Sequence, residues 1–124
     1  MRDLILVATG GAIGAVARYA VGRAGTTWLP VGFPWATFAI NVVGCFLMGI
    51  VAGFAGRGAV SPEARLFLAT GVLGGFTTFS AFGLEAQSLI AEGRVTAAAA
   101  YAGGQLLLGI AGVFAGLAVV RRMI

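Results

Sequence analysis

The sequence predicts an all-α integral membrane protein with four transmembrane helices. Its mean hydropathy is +1.02, and 60% of its 124 residues are hydrophobic while only 10% are charged. A soluble domain is about one quarter charged, so this chain has too few charges to cover a soluble core. The charged residues leave four long uncharged stretches, at 4–17, 24–56, 66–84 and 95–120. A transmembrane helix needs about 20 mainly apolar residues, and the first stretch reaches that length when Arg18 lies within or beside the helix.

The predicted helices cover residues 4–21, 34–54, 63–90 and 95–120 of a single domain that spans 1–124. The first is expected to end in the glycine-containing run 22–25. The second starts at Pro34, because proline suits the first turn of a helix. The third starts after Ser61, which is a good N-cap when Pro62 follows it. Each helix also carries two glycines four residues apart, which favours close helix packing in lipid: Gly10/Gly14, Gly49/Gly53, Gly71/Gly75 and Gly112/Gly116.

The N-terminus admits a second interpretation, a cleaved secretory signal, because Arg2 and an apolar run precede the small residues 15–17. Asp3 weakens the basic region of such a signal, and its removal would leave three helices that also look membrane-bound. The net charge of +4 comes from arginines alone, and their places at helix ends suit lipid headgroups rather than nucleic acid. With no histidine and a single cysteine, Cys45, no catalytic constellation is visible, and we expect no enzymatic activity.

The middle of the third helix is predicted to break between Gly74 and Thr78. Three glycines within five residues and a run of hydroxyl side chains make a poor continuous helix there. A break frees carbonyls that can hold a cation and starts a new helix whose positive end can face an anion. The alternative is a glycine-rich packing kink without an ion-binding role.

Polar and aromatic residues inside the predicted helices are the candidates for function, because polar groups are costly in hydrocarbon. Asn41 offers two N–H donors or an interhelical hydrogen bond. Phe79 and Phe82 share a helix face, and their positive ring edges can accept an anion. The remaining candidates are Arg18 in the first helix, Tyr101 and Gln105 on one face of the fourth, and Glu85, which we expect at an aqueous mouth near an arginine.

Together these residues resemble the Fluc family of fluoride channels, also called CrcB. Four stretches carry the resemblance, and they span most of the chain: residues 10–19 (GGAIGAVARY), 41–49 (NVVGCFLMG), 74–80 (GGFTTFS) and Phe82. The resemblance implies an antiparallel, dual-topology homodimer in the inner (plasma) membrane, with two fluoride pores that each use both subunits. The arginines divide almost evenly between the two sides of the four spans, and so weak a charge bias permits insertion in both directions.

The resemblance also implies a role for each matching residue. Phe79 and Phe82 would line the fluoride pore with Asn41, and Arg18 would lie beside an aqueous vestibule. Polar side chains would continue the pore: Thr78, Ser80 and Tyr101. The carbonyls of Gly74 and Thr77 would bind a structural sodium ion at the centre of the dimer. Ala81, Gly83 and Gln105 stand where hydroxyl side chains are frequent in the family, so the polar lining is expected to be thinner here.

Two other functions compete with a fluoride channel. A small dual-topology multidrug or cation exporter is also a four-helix protein. Such exporters resemble one another in a glutamate inside the first helix, where this chain has Arg18 instead. A non-transporting membrane scaffold would need the glycine faces but not Asn41 together with Phe79 and Phe82. We therefore expect passive export of fluoride, with fluoride, a second copy of the chain and membrane lipid as partners.

Overall fold

The computed structural model describes residues 1–123, and all regular secondary structure in that range is helical. Four helical spans are long and apolar enough to cross a membrane: the first span Arg2–Trp28, the second span Trp35–Ala55, the third span Pro62–Ala91 and the fourth span Val95–Met123. The predicted number and order of the helices are therefore confirmed. Each connecting loop contains one glycine with positive φ, namely Gly32, Gly58 and Gly93, a conformation that other residues adopt only at a steric cost.

The first span extends beyond its predicted end and continues as a helix to Trp28. The prediction relied on Gly22 and Gly25 as helix terminators, and it is wrong at this point. A Cβ at Gly25 would lie 2.7 Å from the Cβ of Ala36. The glycine therefore permits the end of the first span to touch the start of the second, and close packing replaces the termination role.

The third span starts as predicted and then departs from regular α-helical geometry. The Ser61 side chain accepts a hydrogen bond from the Ala64 amide at 3.1 Å, which confirms the N-cap. The segment Leu66–Leu73 is π-helical, a form often found at functional sites. The backbone is then extended at Thr77 (φ −76°, ψ 158°) and Thr78 (φ −149°, ψ 119°) before Phe79–Ala91 resumes as α-helix.

We call Thr77 and Thr78 the extended step. It falls inside the stretch from Gly74 to Thr78 where the sequence predicts a break, and the span on both sides still forms one apolar, membrane-length segment. Thr78 caps the segment that follows, because its hydroxyl accepts the Ala81 amide at 3.2 Å. The extended step thus ends one helical segment and starts the next in the middle of the span.

The first and third spans pack through facing glycines. A Cβ at Gly10 would lie 2.6 Å from the Phe67 carbonyl oxygen, and one at Gly14 would collide with the Val72 carbonyl. The third span contributes Gly71, whose Cβ would lie 2.9 Å from the Gly10 Cα. Backbones can approach this closely only where side chains are absent, so the predicted packing role of these glycines is confirmed.

The second and fourth spans form a matching pair along their length. A Cβ at Gly49 would collide with the Val113 carbonyl, and one at Gly116 with the Phe46 carbonyl. The segment Phe79–Ala91 then packs against the fourth span around Tyr101, which is fully buried and lies within 5.5 Å, centroid to centroid, of the Phe82 ring. This packing holds the third span beside the face where the second and fourth spans meet.

Candidate anion pathway

A groove of about 650 Å³ lies between the second and fourth spans and the middle of the third. None of the described residues that line it is charged. Its lining is apolar apart from two amide side chains and the two threonines of the extended step. The lining residues are Asn41, Gly44, Cys45, Met48, Thr77, Thr78, Phe79, Phe82, Ala102, Gly103, Gln105, Leu106, Gly109, Ile110 and Val113.

The two predicted pore phenylalanines form one wall of this groove. The ring centroids of Phe79 and Phe82 are 5.4 Å apart and the rings are tilted by 44°. Phe79 is 83% exposed in the protomer, because it follows the extended step and its ring projects away from the helix pairs. Phe82 lies deeper, between Phe79 and Tyr101. The pair therefore lines a continuous aromatic path from the surface of the protomer to its core.

Asn41 joins the second span to the extended step. Its amide nitrogen donates to the Thr78 carbonyl at 3.0 Å, and its side-chain oxygen accepts the Thr78 amide at 2.9 Å. The same nitrogen also donates to Oε1 of Gln105 on the fourth span at 2.6 Å. We call Asn41, Thr78 and Gln105 the Asn41 cluster. It supplies the partners that Thr78 would otherwise lack in an apolar environment.

The same hydrogen bonds release two carbonyl groups of the third span. In a continuing α-helix the Thr78 amide would donate to the Gly74 carbonyl, and the Ala81 amide to the Thr77 carbonyl. Here the Thr78 amide donates to Asn41 and the Ala81 amide to the Thr78 hydroxyl. The carbonyl oxygens of Gly74 and Thr77 thereby lose their helical donors. Within residues 1–123 no group of three acidic, histidine or cysteine side chains could hold a metal.

Arg18 approaches the extended step from the first span. It is half-buried, and its Nε donates to the Gly75 carbonyl oxygen at 3.1 Å. The guanidinium thus satisfies a third carbonyl that the extended step removes from the helical pattern. The hydrogen-bond partner of the Arg18 guanidinium is therefore a backbone carbonyl group.

Glu85 has hydroxyl partners in the described part of the chain and not the expected arginine neighbour, while its place at an aqueous mouth stays a prediction. Thr37 donates its hydroxyl to Oε1 at 2.9 Å, and Tyr101 donates to Oε2 at 2.5 Å. Thr37 is buried and Tyr101 is fully buried. The salt bridges of the described residues involve Glu63 and Glu92 instead. We call Thr37, Glu85 and Tyr101 the Glu85 cluster.

The two clusters repeat one arrangement along the protein. Thr37 and Asn41 are four residues apart on the second span, and Tyr101 and Gln105 are four apart on the fourth, so each pair lies on one helix face. In each cluster the third span contributes one polar group, from Glu85 or from Thr78, beside the residues of the second and fourth spans. The spacing of Tyr101 and Gln105 predicted their shared face, whereas the involvement of Thr37 was missed. Its position four residues before Asn41 was the available signal.

The two remaining predicted pore residues, Ser80 and Tyr101, lie in different environments. Ser80 is exposed, and its hydroxyl is 3.5 Å from that of Thr78. Tyr101 does not open onto the groove, because its ring is buried and its hydroxyl is bound to Glu85. The groove therefore brings together the predicted pore residues Phe79, Phe82, Asn41 and Thr78, together with Gln105, the other fourth-span candidate from the sequence.

Four apolar spans, three of which line an uncharged groove with amide side chains and phenylalanine rings, define a multi-pass membrane protein with a candidate ion pathway. The chain belongs to the CrcB family, since the family model described as CrcB-like protein, Camphor Resistance (CrcB), matches residues 5–117. Such a protein lies in the inner membrane in bacteria.

Three similar proteins bear the name Fluoride-specific ion channel FluC. The protein of Rhodospirillum centenum is 47% identical over 125 residues, covering 100% of this chain and 99% of its own length. That of Hyphomonas neptunium is 50% identical and covers 99% and 98%. That of Novosphingobium aromaticivorans is 50% identical and covers 98% of both chains. The name describes an ion channel and not an enzyme.

Proposed function

We propose that this chain is a fluoride channel that allows fluoride to leave the cell passively. One observation carries the proposal: the groove brings the Phe79–Phe82 pair and the amides of Asn41 and Gln105 together without a charged side chain. Similarity over the full chain to proteins named fluoride-specific ion channels supports fluoride as the ion. The geometry alone supports a small anion.

The groove suits an anion that is only partly hydrated. An aromatic ring has a positive edge, so the tilted rings of Phe79 and Phe82 can replace some of the water around an anion without binding it tightly. Amide N–H groups can donate hydrogen bonds to an anion, and a neutral amide carries no negative charge that would repel it. A pathway of this kind binds the ion strongly enough to admit it and weakly enough to release it.

Passive transport would be sufficient to protect a cell from fluoride. Hydrogen fluoride crosses a membrane as a neutral acid and dissociates inside, so the anion is trapped there. A membrane potential that is negative inside drives an anion outward, with about 2.3 kcal/mol per charge for each 100 mV. No chemical fuel is needed for this export.

The working unit we propose is an antiparallel homodimer with two pores, each lined by both subunits. The groove of a single protomer is open on one side, and Phe79 is 83% exposed at its edge. A second copy in the opposite orientation would cover that edge and complete the wall. The weak arginine bias supports this arrangement, because it allows both orientations to insert.

We further propose that the Gly74 and Thr77 carbonyls bind a structural sodium ion at the dimer centre. The residues fit the ion, because these two oxygens have lost their helical donors and neutral carbonyl oxygens suit a monovalent cation. The two-fold symmetry would double the ligand set. A bound cation would supply the positive charge that such carbonyls need in lipid.

The experiment that tests the channel is fluoride efflux from liposomes containing the purified protein, measured with a fluoride electrode. We expect efflux with fluoride and little with chloride. Phe79→Ile and Phe82→Ile each remove one ring edge, worth about 1 kcal/mol or somewhat more, and should slow efflux roughly fivefold to tenfold.

Phe114→Ile is the matched control, because Phe114 is a 68% exposed phenylalanine of the fourth span outside the groove. Size-exclusion chromatography verifies that each variant remains assembled. Liposomes that retain fluoride in the presence of wild-type protein would refute the channel. Full efflux from both groove variants would refute only the role of the aromatic edges.

A further inference from the structure

The start of the third span carries a second groove, which the candidate anion pathway does not use. Its volume is about 380 Å³, within the range of about 300–1,000 Å³ that is typical of small-molecule sites. It lies between the end of the second span, the loop that follows and the start of the third span. The lining residues are Ala55, Val60, Pro62, Arg65, Leu66 and Thr70. The groove therefore combines an apolar wall with two polar side chains.

The π-helical segment Leu66–Leu73 brings these two polar side chains to the same side of the span. In an α-helix, residues five positions apart are rotated by about 140° from each other, so Arg65 and Thr70 would face different directions. A π-helix bonds residue i to residue i+5, which places residues five apart about one turn from each other. Both side chains line the groove. The irregular helix thus pairs a guanidinium with a hydroxyl group.

Neither polar side chain has a protein partner within residues 1–123. The neighbouring carboxylate, that of Glu63, is paired with Arg2 at 3.0 Å, and the other salt bridge in this range lies at the opposite end of the spans. Thr70 lacks the bond that Thr9 donates to the carbonyl four residues before it. The guanidinium of Arg65 and the hydroxyl of Thr70 are both exposed, so they can bind a molecule in the groove.

This end of the protein has a surplus of positive side chains. The chain has four spans, so its first residues, its second loop and its last residues share one side. Asp3 and Glu63 are the acidic side chains there. They are outnumbered by five arginines: Arg2, Arg57, Arg65, Arg121 and Arg122. A surplus of this kind attracts anionic lipid headgroups, and basic pockets between transmembrane helices bind such headgroups in other proteins.

We propose that this groove binds an anionic phospholipid. The Arg65 guanidinium pairs with the phosphate group, whose oxygens match its planar set of N–H donors. The Thr70 hydroxyl lies about one turn further into the span and donates to an ester carbonyl of the same lipid. The apolar wall contacts the start of an acyl chain. This lipid site does not depend on the proposed transport of fluoride.

A second copy of the chain is the other molecule that could cover the groove. In the proposed antiparallel dimer, this end would meet the opposite end of the partner. That end also has a positive surplus, because Arg23 and Arg94 outnumber Glu92. Two positive ends repel each other, whereas an anionic headgroup is complementary to the groove. The charge distribution therefore favours the lipid.

Native mass spectrometry of the purified full-length protein, released from detergent micelles, tests the site. The probe is dioleoyl phosphatidylglycerol, with phosphatidylcholine as a lipid without net charge and inorganic phosphate as an anion without acyl chains. We expect the wild type to bind phosphatidylglycerol more tightly than either control. Arg65→Gln should weaken this binding roughly tenfold, the size expected for a hydrogen bond to a charged group. Thr70→Val should weaken it about threefold, as for a neutral hydrogen bond.

Arg57→Gln is the matched control, because Arg57 is exposed in the same loop and does not line the groove. It removes the same charge from the same end of the protein and should weaken phosphatidylglycerol binding much less than Arg65→Gln. An equal loss in the two variants would overturn the site, because the net charge alone would then explain lipid binding.

The remaining outcomes are equally decisive. Binding of inorganic phosphate as tight as that of the lipid would overturn the proposal in favour of a simple anion site. Unchanged lipid binding in Arg65→Gln, together with a shift from dimer to monomer in size-exclusion chromatography, would show that a second copy covers the groove. If Arg65→Gln fails to fold, Thr70→Val decides the question, because it leaves every charge in place. Undiminished phosphatidylglycerol binding in Thr70→Val would then overturn the proposal.

Discussion

Replacement of Asn41 by leucine tests how the extended step is stabilised. Leucine has the same branching at Cγ but provides no hydrogen bond, so Asn41→Leu removes the three bonds that link the second span to Thr78 and Gln105. The Thr78 amide and carbonyl are then left without partners in an apolar setting. The substitution therefore removes hydrogen bonds from the backbone of the third span without changing the sequence of that span.

The expected loss is dominated by the backbone groups. Each buried group left unsatisfied costs about 1–3 kcal/mol, and Thr78 contributes two. The side-chain bond between Asn41 and Gln105 adds about 0.6 kcal/mol, the average for such bonds between membrane helices. We therefore expect Asn41→Leu to reduce the free energy of unfolding by roughly 3–6 kcal/mol.

The assay is unfolding in detergent micelles, followed by circular dichroism during titration with a denaturing detergent. Val43→Leu is the control, because Val43 is 48% exposed on the same span, and such surface changes usually alter stability by less than about 0.5 kcal/mol. A loss below about 1 kcal/mol for Asn41→Leu would refute the reasoning, because Thr78 would then have found other partners.

Three further predictions concern packing, the Glu85 cluster and sodium. Gly14→Ala should lower stability by roughly 1–3 kcal/mol because its Cβ collides with backbone, whereas Gly22→Ala, with nothing within 4 Å of its Cβ, should be neutral or stabilising in the same unfolding assay. Tyr101→Phe should cost about 1–3 kcal/mol because Glu85 loses a buried donor, and a thermal midpoint equal to that of the wild type would contradict this. Replacing sodium with a large organic cation should lower the thermal midpoint of the dimer, and an unchanged midpoint in both salts would argue against the sodium proposal.

The sequence predicted the architecture well because lipid restricts the possible solutions. Uncharged stretches of sufficient length must form helices, and glycines four residues apart indicated which faces touch. The pairing of Gly10 and Gly14 with the third span, and of Gly49 with the fourth, could not be derived from spacing alone, since every span carries such a pair. Only tertiary packing distinguishes the possible partners.

The polar contacts were harder to predict for a related reason. Asn41 was identified as a candidate, but its hydrogen bonds connect three spans whose relative rotation the sequence does not state. Glu85 was expected at an aqueous mouth near an arginine because it lies three residues past Phe82. The two hydroxyl donors that the structure provides, from Thr37 and Tyr101, come from different spans. A local pattern indicates which groups need partners, but it does not identify partners far away in the sequence.

The dependence of the extended step on Asn41 has a consequence for the order of assembly. A helix that enters lipid alone must satisfy its own backbone, so the newly inserted third span should be a regular helix through Thr77 and Thr78. The extended conformation becomes favourable only when the second span has docked and presents its carboxamide. We therefore expect the irregular centre of this protein to form late, after its neighbours are in place.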